Sequence, residues 1–121
     1  APRRHANVSV IGEKMEQLQF QLTGQNTPAA FTPILVGVVG SGNLEVMIEP
    51  LADSARCRVD VITSAQGFAP IWAAVMQDFQ ERHGLVGIAI AINDMGATPA
   101  VVSLRLDQAA AELPSTIKAT P

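Results

Sequence analysis

Apolar side chains fall at every second position in five separate stretches of this chain, and at every third or fourth position in only one convincing run. That contrast constrains the fold most, because a period of two buries one face of a strand and a period near 3.6 buries one face of a helix. Leu18, Phe20 and Leu22 alternate with Gln17, Gln19 and Gln21; Leu44, Val46 and Ile48 with Glu45, Met47 and Glu49; Cys57, Val59 and Val61 with Arg56, Arg58 and Asp60. Ile88, Ile90 and Ile92 alternate with Ala89 and Ala91, and Val102, Leu104 and Leu106 with Val101, Ser103 and Arg105. A further strand over residues 34–39 is apolar on both faces, so it is expected to be central or covered by another layer. The exception to this pattern is Phe68, Trp72, Val75, Met76 and Phe79, whose spacing predicts a helix. Pro70 suits its first turn, Arg82 and His83 complement its C-terminal dipole, and Gly84 is placed to be the left-handed residue beyond it. The stretch "DQAAAEL" adds a short C-terminal helix that stops at Pro114. The expected fold is α+β, a largely antiparallel β-sheet in the order β-β-β-β-α-β-β covered by one amphipathic helix.

At 121 residues, 48% of them hydrophobic, the chain is long enough for one core and too short for two. One Trp, four Phe and no Tyr leave that core to Val, Ile, Leu and Ala, a composition that suits sheet. A net charge of -3 with dispersed Lys and Arg gives no basic footprint for a nucleic-acid backbone. Cys57 is the single cysteine, which excludes an internal disulfide and a thiolate-rich zinc site and fits a reducing, cytoplasmic setting. The charge-free run over residues 84–93 is about half of the roughly 20 residues a membrane span needs, so no membrane partner is expected. Residues 1–14 are basic without the apolar core of a secretory signal and are read as a disordered N-terminal extension. Residues 15–113 form the expected domain, and residues 114–121 a flexible tail.

Between the strands ending at Val39 and starting at Leu44 stand Gly40, Ser41, Gly42 and Asn43, the residue types of a tight hairpin loop. A catalytic reading of Ser41 fares poorly. The outer positions of a G-x-S-x-G elbow are occupied by Val39 and Asn43, the following element is a strand, and no histidine is spaced to activate the hydroxyl. His5 lies in the expected extension, and His83 is read as a surface residue at the helix C-terminus. Phosphate-loop readings fail as well, since Asn43 stands where Walker A requires Lys and Glu45 where a dinucleotide fingerprint requires its third glycine. A turn with no further function, or a serine displayed for another protein to modify, both fit the residues.

The stretches "VGVVGSGNLEVMIEP" and "NDMGATPAVVSLRLDQAAAEL" resemble the acyl carrier (delta) subunit of biotin-independent malonate decarboxylase, and the resemblance extends over nearly all of residues 15–113. It implies a non-catalytic carrier domain. It also implies that Ser41 bears a covalent 2'-(5''-phosphoribosyl)-3'-dephospho-CoA, joined through a phosphodiester by a separate transferase, and that the chain's partners are that transferase and the acyl transferase and decarboxylase subunits. Gly40, Gly42 and Asn43 would then form the attachment turn; the family often has Asp where this chain has Asn43. Glu45, Asp94, Gly96 and Thr98 are candidate docking positions, the last three in a loop that either contacts a partner or braces the Ser41 hairpin. The carrier of citrate lyase, which uses the same group, is the nearest alternative, and an unmodified α+β interaction module is another.

Overall fold

A computed structural model of the chain describes residues 7–11 and 15–117. Its centre is a six-stranded sheet built from β1 (Asn7–Ile11), β2 (Met15–Leu22), β4 (Ile34–Gly37), β5 (Leu44–Pro50), β6 (Cys57–Thr63) and β7 (Ile88–Asp94), in the spatial order β1-β2-β6-β7-β5-β4. All neighbours are antiparallel except β6 and β7, which run parallel because α1 (Ala69–His83) connects them as a crossover. A small second sheet pairs β3 (Thr27–Pro28) with β8 (Thr116–Ile117). The α+β class follows as the alternation implies.

One face of the large sheet is the core. Leu18, Phe20, Leu44, Val46, Ile48, Val59, Val61, Ile88, Ile90 and Ile92 are buried on it, under Trp72, Met76 and Phe79 from α1 and Val102, Leu106 and Ala109 from α2 (Pro99–Ala111). Gln19, Gln21, Glu49 and Arg58 point from the other face into solvent. The start and stop signals of α1 are realised: Pro70 lies in the first turn, Arg82 and His83 in the last, and Gly84 takes φ 59° and donates its N–H to the Gln80 carbonyl at 2.7 Å.

The structure departs from expectation at three places. The segment around Val101 to Leu106 is not a strand but the body of α2, so two helices cover the sheet and the expected short C-terminal helix is the end of the second. Val102 and Leu106 are four residues apart and share a face under either period, whereas Leu104, which alternation would bury, is 51% exposed. Second, the apolar strand expected to be central or covered by another layer is the edge strand β4, covered by α2 on one face only: Leu35, Val38 and Val39 are 59%, 60% and 53% exposed. Apolarity on both faces does not by itself distinguish a sandwiched strand from an edge that leaves hydrophobic surface open. Third, Asn7–Ile11, within the expected disordered extension, pairs with β2 as β1, and Thr116–Ile117, within the expected tail, pairs with β3. The rest of residues 1–14 and of the tail beyond residue 117 lies outside the described residues.

Candidate attachment site

The hairpin between β4 and β5 begins at Gly37, whose φ is 85° and where a Cβ would lie 2.2 Å from the Leu44 carbonyl oxygen. Only glycine fits there. At the tip the Asn43 N–H donates to the Gly40 carbonyl at 2.9 Å, closing a four-residue turn with Ser41 and Gly42 as its central pair. Gly42 has φ 70° and Ser41 does not share that positive value, the sign pattern of a type II turn, whose second central position calls for Gly or Asn. Ser41 and Gly42 are both exposed. A Cβ at Gly42 would meet nothing within 4 Å, and one at Gly40 would reach only Val38 Cγ2 at 4.0 Å. Gly42 is therefore needed for its dihedral angle, not for space, and the serine stands clear of neighbours.

Two elements fix this tip to the body. The Gly42 N–H donates to the Met95 carbonyl at 2.8 Å, and the Met95 N–H donates to the Asn43 carbonyl at 2.9 Å. The loop that supplies Met95 is itself held by Asp94, only 2% exposed, whose carboxylate accepts from the Thr63 hydroxyl at 2.8 Å and from the N–H groups of Gly96 at 3.2 Å and Ala97 at 3.0 Å. From the other side, Asn43 Oδ1 accepts from the Leu44 N–H at 2.8 Å and from Arg105 Nε at 3.3 Å, while Arg105 Nη1 donates to Gln108 Oε1 at 3.0 Å. Sequence reasoning missed Arg105 because it placed that residue on a strand. The dipeptide Thr98-Pro99 was the available signal: Thr98 Oγ1 accepts from the Val101 N–H at 3.4 Å and proline follows at the first helical position.

Gly40, Ser41, Gly42 and Asn43 thus come together as the sequence implied, but the candidate docking residues divide. Of the two roles the sequence left open for Asp94, docking or bracing, the structure favours bracing, because its carboxylate is buried and spent on the loop. Gly96 and Thr98 are exposed beside it. Glu45 is half-buried on the opposite, open face of the sheet, where it accepts a 3.4 Å hydrogen bond from Asn93 Nδ2. Among the described residues no catalytic geometry forms at Ser41. His83 ends α1, whose start lies at the Ser41 end of the sheet; the helix's 15 residues span roughly 22 Å. It is also engaged elsewhere, 2.8 Å from Asp107 and with its ring 4.6 Å from that of Phe79 at a tilt of 41°, while His5 lies outside the described residues. Cys57 is fully buried, and burial pushes its thiol up to about 12.

A family profile described as malonate decarboxylase delta subunit (MdcD) matches residues 32–113, a span holding the hairpin, both helices and the bracing loop. The chain belongs to this acyl carrier family. It is 61% identical to a malonate decarboxylase acyl carrier protein of Burkholderia cepacia over 84% of this chain and 93% of that one. With the protein of the same name from Acinetobacter calcoaceticus it shares 46% identity over 78% of this chain and 93% of the relative. Among solved structures, a chain of a Pseudomonas malonate decarboxylase hetero-tetramer in complex with malonate matches with a TM-score of 0.70 and 37% identity, over 79% of this chain and 96% of that chain. The Burkholderia and Acinetobacter relatives are named as carriers rather than as catalytic subunits, and all three names place the family on the malonate side rather than the citrate side. Among the described residues no helix is long and apolar enough to cross a membrane.

Proposed function

We propose that this chain is the carrier subunit of a malonate-decarboxylating complex and that Ser41 is the residue on which its 2'-(5''-phosphoribosyl)-3'-dephospho-CoA is mounted. The observation that carries this reading is the open, braced turn. An exposed serine sits between two glycines whose missing side chains leave the approach free, while hydrogen bonds from Met95 and Arg105 hold the turn in place. A modifying enzyme needs access to the hydroxyl, and it brings its own base, which accounts for a serine far from His83.

The residues present fit such a group. The Ser41 hydroxyl offers the ester oxygen, Gly40 and Gly42 leave room for a phosphate and sugar, and the Arg105 guanidinium, bonded to Asn43 two residues away, adds positive charge near the place a phosphodiester would occupy. When bound, the group supplies a thiol that holds an acyl unit as a thioester and raises its effective concentration at partner active sites, as a tether does. The chain itself supplies a rigid mount. Its partners on this reading are the acyl transferase and decarboxylase subunits and the transferase that loads Ser41, and the relative found in a hetero-tetramer supports association with other subunits.

The test is a native-state thiol count together with intact mass. Because Cys57 is sealed in the core, chain isolated from its own host should show one fast-reacting thiol and the mass of the phosphoribosyl-dephospho-CoA adduct, and Ser41→Ala should show neither. An unmodified mass for host-derived chain, or an adduct that survives Ser41→Ala, would overturn the assignment.

A further inference from the structure

The loop that braces the attachment turn also forms one wall of a cavity. About 300 Å³ of open space lies where α1 and α2 begin, lined by Phe68, Ile71, Trp72 and Val75 from the α1 side and by Ala97 and Val102 from the α2 side. Asp94, Gly96 and Thr98 complete its rim. The topology explains its place: β6 and β7 are parallel, so the helices that follow them both start at the same end of the sheet, and β5, antiparallel to β7 with Leu44 opposite Asp94, brings the Ser41 turn to that end too. Met95, hydrogen-bonded through its backbone to Gly42 and Asn43, is flanked in sequence by the rim residues Asp94 and Gly96, so the serine and the cavity share one wall.

The walls have an unusual surface. Phe68 and Ile71 are 45% and 43% exposed, apolar groups left open in the cavity wall. Phe68 is the N-cap of α1 with no side-chain hydrogen bond to the helix, so the first N–H groups of α1 are free of a side-chain cap where the helix meets the cavity. The Asp94 carboxylate at the rim is already engaged by Thr63, Gly96 and Ala97, so the free part of the lining is mainly apolar. A flat aromatic heterocycle suits this combination, stacking on apolar and aromatic side chains while its ring nitrogens accept hydrogen bonds from uncapped N–H groups.

We infer that this cavity receives the adenine ring of the group mounted on Ser41. The inference rests on the carrier reading above. By its linkage the group has only a phosphate and two sugars between the serine and the adenine, so the ring is the first large apolar part that reaches the cavity, and the pantetheine portion lies beyond it. With the ring seated at Phe68 and Trp72, the acyl-bearing end swings from the cavity mouth rather than from the serine, a shorter and better-directed tether.

Trp72 is the chain's single tryptophan and reports directly on the cavity. Ser41→Ala protein, which cannot be loaded, is titrated with 3'-dephospho-CoA, AMP and pantetheine while Trp72 emission is followed. The first two should give the same saturable change and pantetheine none. Phe68→Ala should weaken nucleotide binding about tenfold, the loss expected for one stacking partner. Leu104→Ser, an exposed change elsewhere on α2, should leave it as in the parent. Absence of a saturable signal, an equal response to pantetheine, or full-strength binding by Phe68→Ala overturns the inference. In loaded protein, identified by mass, Trp72 should no longer respond to added AMP. Loaded protein that responds like the unloaded form would sink the cavity proposal and leave the carrier reading standing, whereas host protein of unmodified mass would sink the carrier reading.

Discussion

Substituting alanine at two glycines of the hairpin separates the two reasons a chain uses glycine. Gly37 and Gly42 have similar backbone angles, φ 85° and 70°, so each alanine variant is forced into the left-handed region at a cost of about 1–2 kcal/mol, less about 0.5 kcal/mol regained from a stiffer unfolded chain. Their surroundings differ. At Gly42 the new methyl group enters open space, and the net loss should be about 1 kcal/mol. At Gly37 it would sit 2.2 Å from the backbone oxygen of Leu44, which is paired into the sheet and cannot rotate aside, so a further overpacking cost of about 1–3 kcal/mol brings the loss to about 3 kcal/mol. Urea unfolding followed by Trp72 fluorescence reads both, as midpoint shifts at constant slope. Equal losses for the two variants, or a larger one for Gly42→Ala, would refute the claim that the hairpin is closed at its root and open at its tip.

Asp94→Ala leaves the Thr63 hydroxyl and two backbone N–H groups without their acceptor and should cost about 3–5 kcal/mol, with faster hydrogen exchange at Gly42; a loss under about 1 kcal/mol would argue that Asp94 does not brace the loop. Arg105→Ala should leave global stability within about 1 kcal/mol but loosen the turn, read as a faster exchange of the Leu44 and Asn43 amides, and an unchanged exchange rate would argue against the brace. Cys57 should resist thiol reagents in the native chain at pH 8 and react only with unfolding. Since its folded pKa is raised, the stability tied to its neutral form is full below the ordinary value of 9.0 and is lost as pH climbs toward about 12, so a Cys57→Ala variant should show a flatter decline over that range. Asp107 is displaced the other way: partial burial raises its carboxyl, but the Arg82 and His83 hydrogen bonds outweigh that and hold it below the ordinary 3.8. Its contribution is present above that value and fades as pH falls through the lowered one, and Asp107→Asn should remove this acid dependence at a cost of under about 1 kcal/mol, as befits an exposed pair.

Strands that bury one face were legible because their alternation is unambiguous: β2, β5, β6 and β7 all carry buried residues at every second position. The hairpin turn was legible for a different reason, since the positive angle at Gly42 suits glycine or asparagine and the residues around it form a short, dense motif. Two things were hidden. Val102 and Leu106 are compatible with both periods, and only the capping pair Thr98-Pro99 distinguishes helix from strand there. Partners distant in sequence were out of reach: the Asn43 and Arg105 hydrogen bond spans 62 positions and depends on α2 being a helix that lies along β4 and β5. Likewise Asp94 reads as a loop carboxylate until the parallel pairing with β6 sets Thr63 beside it.

The strand order has a practical consequence. β1 and β4 occupy opposite margins of the sheet, five strand spacings or roughly 24 Å apart. A fusion partner, dye or immobilising handle joined ahead of β1 would therefore stand a full sheet's width from the hairpin strand that leads to Ser41, which makes that margin the one from which to tether the chain when the proposed loading of Ser41 is put to the test.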